Sequence, residues 1–299
     1  MKKDKKPIFT GVGTALVTPF LDGKIDYPAL DRLIEEQIRA GIDAIIIGGT
    51  TGEAATLTEE ERYTLYEYAT ERIKPRAKII LGTGTNDTRV VINHTKFAES
   101  IGADGTLIVT PYYNKGTEEG IYRHYTSVAD SCSIPIILYN VPSRTGVNLG
   151  INLLRRLAEH PNILGLKEAG DSVDRLMNLA ELRNVLPLYA GNDSQILPVL
   201  ALGGAGVISV ISNALPRETL EIVKAFSDGD TSGAIDKQTA MLGLIRSLFA
   251  ETNPAPIKYL LERLATISGE LRLPLCEIRP STKELIVEEY ERYLERRGI

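Results

Sequence analysis

The chain has little cysteine, little histidine and no surplus of positive charge. Its two cysteines, Cys132 and Cys276, stand far apart without framework spacing, so a disulfide-stapled fold is not expected and a reducing cytoplasm fits. The three histidines, His94, His124 and His160, fall in separate helical stretches with no partners at ligand spacing, which argues against a metal centre. The net charge of −5 argues against nucleic acid as a partner. The one basic run, Met1-Lys2-Lys3-Asp4-Lys5-Lys6, reads as a solvated, poorly ordered end. No apolar stretch follows it as in a signal peptide, and no apolar run approaches the length of a membrane span. Nucleotide binding is not expected either. Gly48-Gly49-Thr50-Thr51-Gly52 lacks the ending of a P-loop, and Gly82-Thr83-Gly84 lacks the full dinucleotide fingerprint.

What is present is periodic. Hydrophobic residues make up 43% of the 299 positions and charged residues 24%, an ordinary globular balance. Eight short apolar runs recur, each followed by an amphipathic stretch: Gly11 to Val17, Ala44 to Gly49, Lys78 to Gly82, Gly105 to Thr110, Pro135 to Tyr139, Ile163 to Glu168, Leu186 to Gly191 and Gly206 to Ile211. They are apolar on both parities, as parallel strands covered on both faces are. Their spacing of ~20–35 residues matches a strand plus a crossover helix. Helix signals fit between them: Asp26 and Gly41 bracket one helix, and Thr58-Glu59-Glu60-Glu61 is a capping box. The expected fold is α/β, a (β/α)8 TIM barrel over residues 1–230, with an all-helical extension over 231–299 packed on it. Periodicity alone would also suit an open doubly wound sheet. In the extension, helices are expected through Met241, Leu244 and Leu248, from Ile257 to Ile267 and from Lys283 to Arg297, with Gly269 to Ser281 as a connection.

Barrel chemistry sits at the C-terminal strand ends. The sixth run ends in Lys167-Glu168. A lysine held there in a dry environment loses preference for its charged form and becomes a nucleophile toward carbonyl compounds; a lysine capping a strand and reaching water would do nothing of the kind. Side chains alternate along a strand, so Gly165 shares a face with Lys167 and leaves room beneath it. The fifth run ends in Tyr139, and neighbouring strands lie ~4.8 Å apart, so its phenol can reach the amine and shuttle protons. The hydroxyls of Thr50 and Tyr113 can extend that shuttle. The Gly48–Gly52 stretch can offer backbone N–H groups to an anion, and Arg144 can pair with a carboxylate. The acidic residues Glu53, Glu168 and Asp193 form no spaced set for a divalent ion.

Six segments in order resemble the 4-hydroxy-tetrahydrodipicolinate synthase (dihydrodipicolinate synthase) family of pyruvate-dependent class I aldolases. They are Ala15-Leu16-Val17-Thr18-Pro19-Phe20, Gly49-Thr50-Thr51-Gly52-Glu53, Thr110-Pro111-Tyr112-Tyr113-Asn114, Tyr139 through Gly146, Gly165-Leu166-Lys167-Glu168-Ala169 and Asn253-Pro254-Ala255-Pro256-Ile257-Lys258. The resemblance implies condensation of pyruvate with L-aspartate 4-semialdehyde in lysine and diaminopimelate biosynthesis, without metal or nucleotide. It implies that Lys167 forms the imine and that Tyr139, Thr50 and Tyr113 relay protons, with Tyr113 entering a neighbouring subunit's site. Thr51 would hold the pyruvate carboxylate, Arg144 the semialdehyde carboxylate, and Gly191 and Ile208 would line the pocket. It also implies a homo-oligomer, at least a dimer and by expectation a tetramer built as a dimer of dimers. Lysine-inhibited members carry polar residues at positions that here read Ala54, Glu59, Arg62 and Val90, while Asn86 and Tyr112 remain, so weak or absent feedback inhibition is expected. The competing readings are an aldolase of the N-acetylneuraminate lyase or keto-sugar-acid type, and a non-catalytic keto-acid-binding barrel. The arginine of Ser143-Arg144-Thr145-Gly146 favours a small semialdehyde bearing a carboxylate.

Overall fold

A computed structural model describes residues 4–298. Eight strands form its centre: β1 (Gly11–Ala15), β2 (Ala44–Ile47), β3 (Lys78–Gly82), β4 (Gly105–Val109), β5 (Ile136–Asn140), β6 (Ile163–Glu168), β7 (Leu188–Ala190) and β8 (Gly206–Ser209). Every neighbouring pair is parallel, and β1 pairs with both β8 and β2, so the sheet closes on itself. That closure decides for the barrel over the open sheet. Eight helices alternate with the strands: α1 (Tyr27–Ala40), α2 (Glu59–Ile73), α3 (Thr88–Ser100), α4 (Glu118–Asp130), α5 (Ile151–Leu157), α6 (Val173–Ala180), α7 (Ile196–Ala201) and α8 (Pro216–Ser227).

The strands are apolar on both parities because each parity meets a different core. In β2, Ala44 and Ile46 point into the barrel with Ile80, Leu107, Ile137 and Ile208, whereas Ile45 and Ile47 pack outward against the helices. Phe9 closes the floor. Its ring stacks on Tyr189 at 4.6 Å between centroids, and the Tyr189 hydroxyl donates to the Phe9 carbonyl at 2.7 Å. The Tyr189 ring also occupies the room left by Gly165, where a Cβ would lie 3.1 Å from that ring. The expected caps are present: Asp26 accepts from the Ala29 N–H, Gly41 closes α1 at φ +88°, and Thr58 and Glu61 form the capping box of α2.

The structure adds one element to the expected set and corrects two local expectations. A two-stranded hairpin, Phe20–Leu21 with Lys24–Ile25, follows β1; its turn is Asp22-Gly23, both at positive φ, a pairing that favours tight hairpins. The extension consists of α9 (Thr231–Ser247), α10 (Ala255–Arg263) and α11 (Pro280–Arg297). Thus α10 stops before Ile267, near Ala265 at φ +56°, and α11 begins earlier than Lys283 because Pro280 suits the first helical turn. Finally, Lys5 is not a solvated tail. Its ammonium donates to the carbonyls of Ala158, His160 and Ile163 at 2.7, 2.7 and 2.8 Å; Met1 to Lys3 lie outside the described residues.

Several contacts tie the extension to the barrel. Arg297 of α11 pairs with Glu221 of α8 at 3.0 Å. The segment between α9 and α10 crosses the barrel mouth, where Asn253 contacts residues from the β2 and β5 ends.

Candidate active site

Pleat alternation sets the two ends of β6 residues apart. Lys167 faces into the barrel, only 4% exposed, while Glu168 turns outward. Glu168 is fully satisfied: Asn140 Nδ2, the Gly170 N–H and Arg175 Nε donate to it at 2.8, 2.8 and 2.9 Å. Lys167 is the opposite case. Its Nζ lies 4.5 Å from the centroid of the Tyr139 ring and has no hydrogen-bonding partner among the described residues. Burial pushes the amine pKa down to about 8; the Asp193 carboxylate opposes that fall and the Arg144 guanidinium adds to it. Near pH 7.5 roughly a quarter of such an amine is unprotonated, against about one in a thousand for an ordinary lysine.

Register delivers the phenol. Tyr139 of β5 is the direct partner of Lys167 in the β5–β6 ladder. Burial raises the Tyr139 pKa, opposed by Arg144 and by a hydrogen bond with the Thr50 hydroxyl, so the phenol stays protonated and able to donate. Thr50 reaches it because the ends of β2 and β3 approach backbone to backbone. A Cβ on Gly82 would lie 2.1 Å from the Gly48 carbonyl oxygen, and Gly48 itself sits at φ +68°.

The remaining expected residues fall in two groups. Thr51, Arg144 and Gly191 line one cavity of about 370 Å³ with Lys167, Tyr139 and Asp193. Arg144 stands on a single helical turn, Pro142–Thr145, and donates to the Asn253 carbonyl at 2.9 Å. Gly191 is packed so closely that a Cβ would come 2.7 Å from both Ala169 Cβ and the Glu168 carbonyl. Ile208 is buried in the barrel interior below. Tyr113 is not brought to Lys167. It is 90% exposed, at φ +69°, and lines neither this cavity nor the adjoining one of about 340 Å³. That second cavity touches Thr50, Tyr139 and Arg144 and runs on to Ala54, Arg62 and Tyr112.

Two polar residues at the mouth were given no role from sequence. Asp193, at the end of β7, is buried; its Oδ2 accepts from the Val210 and Ile211 N–H groups at 3.0 Å each, while Oδ1 has no partner among the described residues. Burial raises its pKa, with hydrogen bonds from Ser209 and those two amides opposing. Asn253 donates from Nδ2 to Thr51 Oγ1 at 3.0 Å. Among the described residues no group of three or more His, Cys, Asp or Glu is placed to hold a metal ion, and no helix is long and apolar enough to cross a membrane.

The fold and this mouth define a class: a parallel barrel presenting a buried amine, flanked by a phenol, to a cavity that also holds a threonine hydroxyl and an arginine. The sequence matches the dihydrodipicolinate synthetase family over residues 8–291. It is 45% identical to a 4-hydroxy-tetrahydrodipicolinate synthase of Clostridium novyi (strain NT), over 96% of this chain and 97% of that protein. It is 42% identical to the protein of the same description from Acetivibrio thermocellus, over 97% and 99%. The solved 4-hydroxy-tetrahydrodipicolinate synthase of Methylacidiphilum fumariolicum SolV superposes with a TM-score of 0.95 at 42% identity, covering 97% of each chain. The chain belongs to the dihydrodipicolinate synthetase family.

Proposed function

We propose that Lys167 is the imine-forming residue through which this chain, a 4-hydroxy-tetrahydrodipicolinate synthase, joins pyruvate to L-aspartate 4-semialdehyde. The observation that carries the assignment is the unpartnered, buried amine beside the Tyr139 ring. The free amine attacks C2 of pyruvate. Tyr139, bonded to Thr50, passes protons as the carbinolamine loses water and becomes an iminium. The iminium acts as electron sink, so loss of a C3 proton gives an enamine and no cofactor is needed. The enamine carbon attacks the semialdehyde aldehyde, forming the new C–C bond, and the aldehyde oxygen takes up a proton. The substrate's own amino group then attacks the imine carbon, displacing Lys167 and closing the ring. One water leaves in the whole sequence. Asp193 supplies the negative charge that steadies the cationic stage. Thr51 and Arg144 receive the carboxylates of the two substrates, with Gly191 and Ile208 shaping the pocket.

Tyr113, fully turned outward from its own chain, suits a phenol that completes a neighbour's relay. The working enzyme is therefore at least a dimer, and we assign it a tetramer made as a dimer of dimers, located in the cytoplasm. Sedimentation of wild type and Tyr113→Ala, with turnover of each, tests this: a fully active monomer would overturn it.

L-Lysine inhibits turnover weakly or not at all on this reading. Val90 offers no acceptor to an ammonium group. Arg62, on the wall of the second cavity, is engaged with the Ala54 carbonyl and the Tyr66 hydroxyl at 2.6 and 3.2 Å. Clear suppression at millimolar L-lysine would refute it. The central experiment is borohydride reduction in the presence of pyruvate. The reduced adduct mass on Lys167, and on no other lysine, is the expected result. Assays with N-acetylmannosamine or glyceraldehyde in place of the semialdehyde separate the sugar-acid aldolases.

A further inference from the structure

Asn253 comes from the C-terminal extension, 202 residues away from Thr51 in the chain, yet it contacts both carboxylate receptors. Its Nδ2 donates to Thr51 Oγ1 at 3.0 Å, and its backbone carbonyl accepts from Arg144 Nη2 at 2.9 Å. Asn253 and Thr51 are both buried and both line the cavity of Lys167. A hydroxyl has one hydrogen and two lone pairs. With a lone pair engaged by the amide, the hydrogen is left to donate, and it has no acceptor among the described residues. The other end of the amide gains nothing: Asn253 Oδ1 is buried without a partner among the described residues. A buried acceptor left unpaired costs stability, which an apolar residue of similar size would avoid. What the amide accomplishes is therefore to be sought at its N–H.

We propose that Asn253 is a positioning residue for pyruvate: its amide fixes the Thr51 hydroxyl as an acceptor, so that the hydroxyl's own hydrogen points at the substrate carboxylate. This rests on the reading of Thr51 as the pyruvate-carboxylate contact. It makes the extension part of the site, because the group that orients a β2-end hydroxyl is carried between α9 and α10. The semialdehyde receptor is held differently. Arg144 is anchored by a backbone carbonyl, which side-chain replacement leaves in place.

The test follows the pyruvate concentration that half-saturates borohydride trapping at Lys167, with kcat and the half-saturation for semialdehyde measured alongside. Asn253→Ala raises the pyruvate value about fivefold or more in the wild-type background but by less than about twofold in Thr51→Val, where no hydroxyl remains to be oriented. Asn253→Asp keeps the size but accepts the hydroxyl's hydrogen and adds a negative charge, so it raises the value at least about tenfold; it also serves if the truncated variant fails to fold. In Asn253→Ala, kcat at saturating pyruvate and the semialdehyde half-saturation stay within about twofold, a split that general loosening of the mouth would not produce. An unchanged pyruvate value, or an equal rise in both backgrounds while Thr51→Val is itself impaired, overturns the role of Asn253 alone. If Thr51→Val binds pyruvate normally, or wild type gains no mass at Lys167, the underlying reading falls and this role with it.

Discussion

The chain buries two lysines to nearly the same depth, and they do opposite things. Lys258, in α10, is completely enclosed. Its ammonium lies 2.5 Å from Glu53 Oε1, donates to the Glu270 carbonyl at 2.8 Å and sits 4.3 Å above the Phe20 ring. Burial draws its pKa down, and Glu53 opposes. Lys167 has an aromatic face, a carboxylate at a distance and, among the described residues, no hydrogen-bond acceptor. Burial alone therefore does not make a nucleophile. An enclosed ammonium with a carboxylate in contact stays an ion and holds two segments together, here the turn after β2 and the extension. An enclosed amine denied such partners gives up its proton near neutrality and is left with a lone pair to use.

The largest expected effect breaks the symmetry by chemistry. Lys167→Ala loses at least about a thousandfold in kcat, and no adduct forms on borohydride treatment with pyruvate, because among the described residues the other buried lysine, Lys258, is held by Glu53. Lys258→Met leaves Glu53 buried without its partner and destabilises the fold by about 3–5 kcal/mol in denaturant titrations, yet whatever remains folded still traps pyruvate on Lys167. A Lys258 variant that keeps its stability but loses trapping would reverse the assignment of the two residues.

Stability sharpens the contrast through its sign. A lysine whose folded pKa lies near 8 binds fewer protons than in the unfolded chain between that pH and its ordinary value. Stability accordingly rises with pH across that window, and the cost of enclosing Lys167 is fully present below it. Replacing Lys167 by Met therefore stabilises the protein at pH 7, by at most about 3 kcal/mol, and the gain fades toward pH 10.5. Chemical denaturation of Lys167→Met and Lys258→Met at both pH values gives shifts of opposite sign at neutrality. Two shifts of the same sign would mean that Lys167 has a partner after all.

How far the sequence discloses such differences depends on the distance over which each is decided. Strand character is local: Ala44 to Ile47 is apolar on both parities whatever the rest of the chain does, so the barrel could be anticipated. Lys167 and Tyr139 were legible as a pair because pleat and strand adjacency fix them jointly. The hairpin at Asp22-Gly23 and the start of α11 at Pro280 carry local signals as well. Asp193 carries none, and Asn253 only the resemblance of its segment. Asn253 acquires its meaning from a segment that folds back across the mouth, and Asp193 from amides of the β8 end, which closure alone brings beside it. Tyr113 belongs to a third kind, since its own chain supplies it with no cavity. The role of Lys258 is not legible locally, because its carboxylate, Glu53, lies on a turn where a non-glycine residue adopts φ +52°.

The smallest effect probes the one carboxylate that both keeps its distance from Lys167 and acts on it. Asp193 favours the charged form of the amine, against the pull of burial. In Asp193→Asn that support is gone, while the Val210 and Ile211 N–H groups can still donate to the amide oxygen, so the mouth keeps its shape. The Lys167 pKa then falls further below about 8, and the rising limb of pyruvate trapping against pH moves to lower pH, by about one unit or less. At pH 7 more amine is free to attack, but the iminium it forms has lost its counter-charge, so turnover drops about tenfold even as capture at low pH improves. Trapping rates and turnover measured on one variant across pH 6 to 9 separate these two consequences. If the limb stays where it is, Asp193 carries no charge that the amine can feel. The difference between the two lysines then lies wholly in contact hydrogen bonding and owes nothing to the wider field of the mouth.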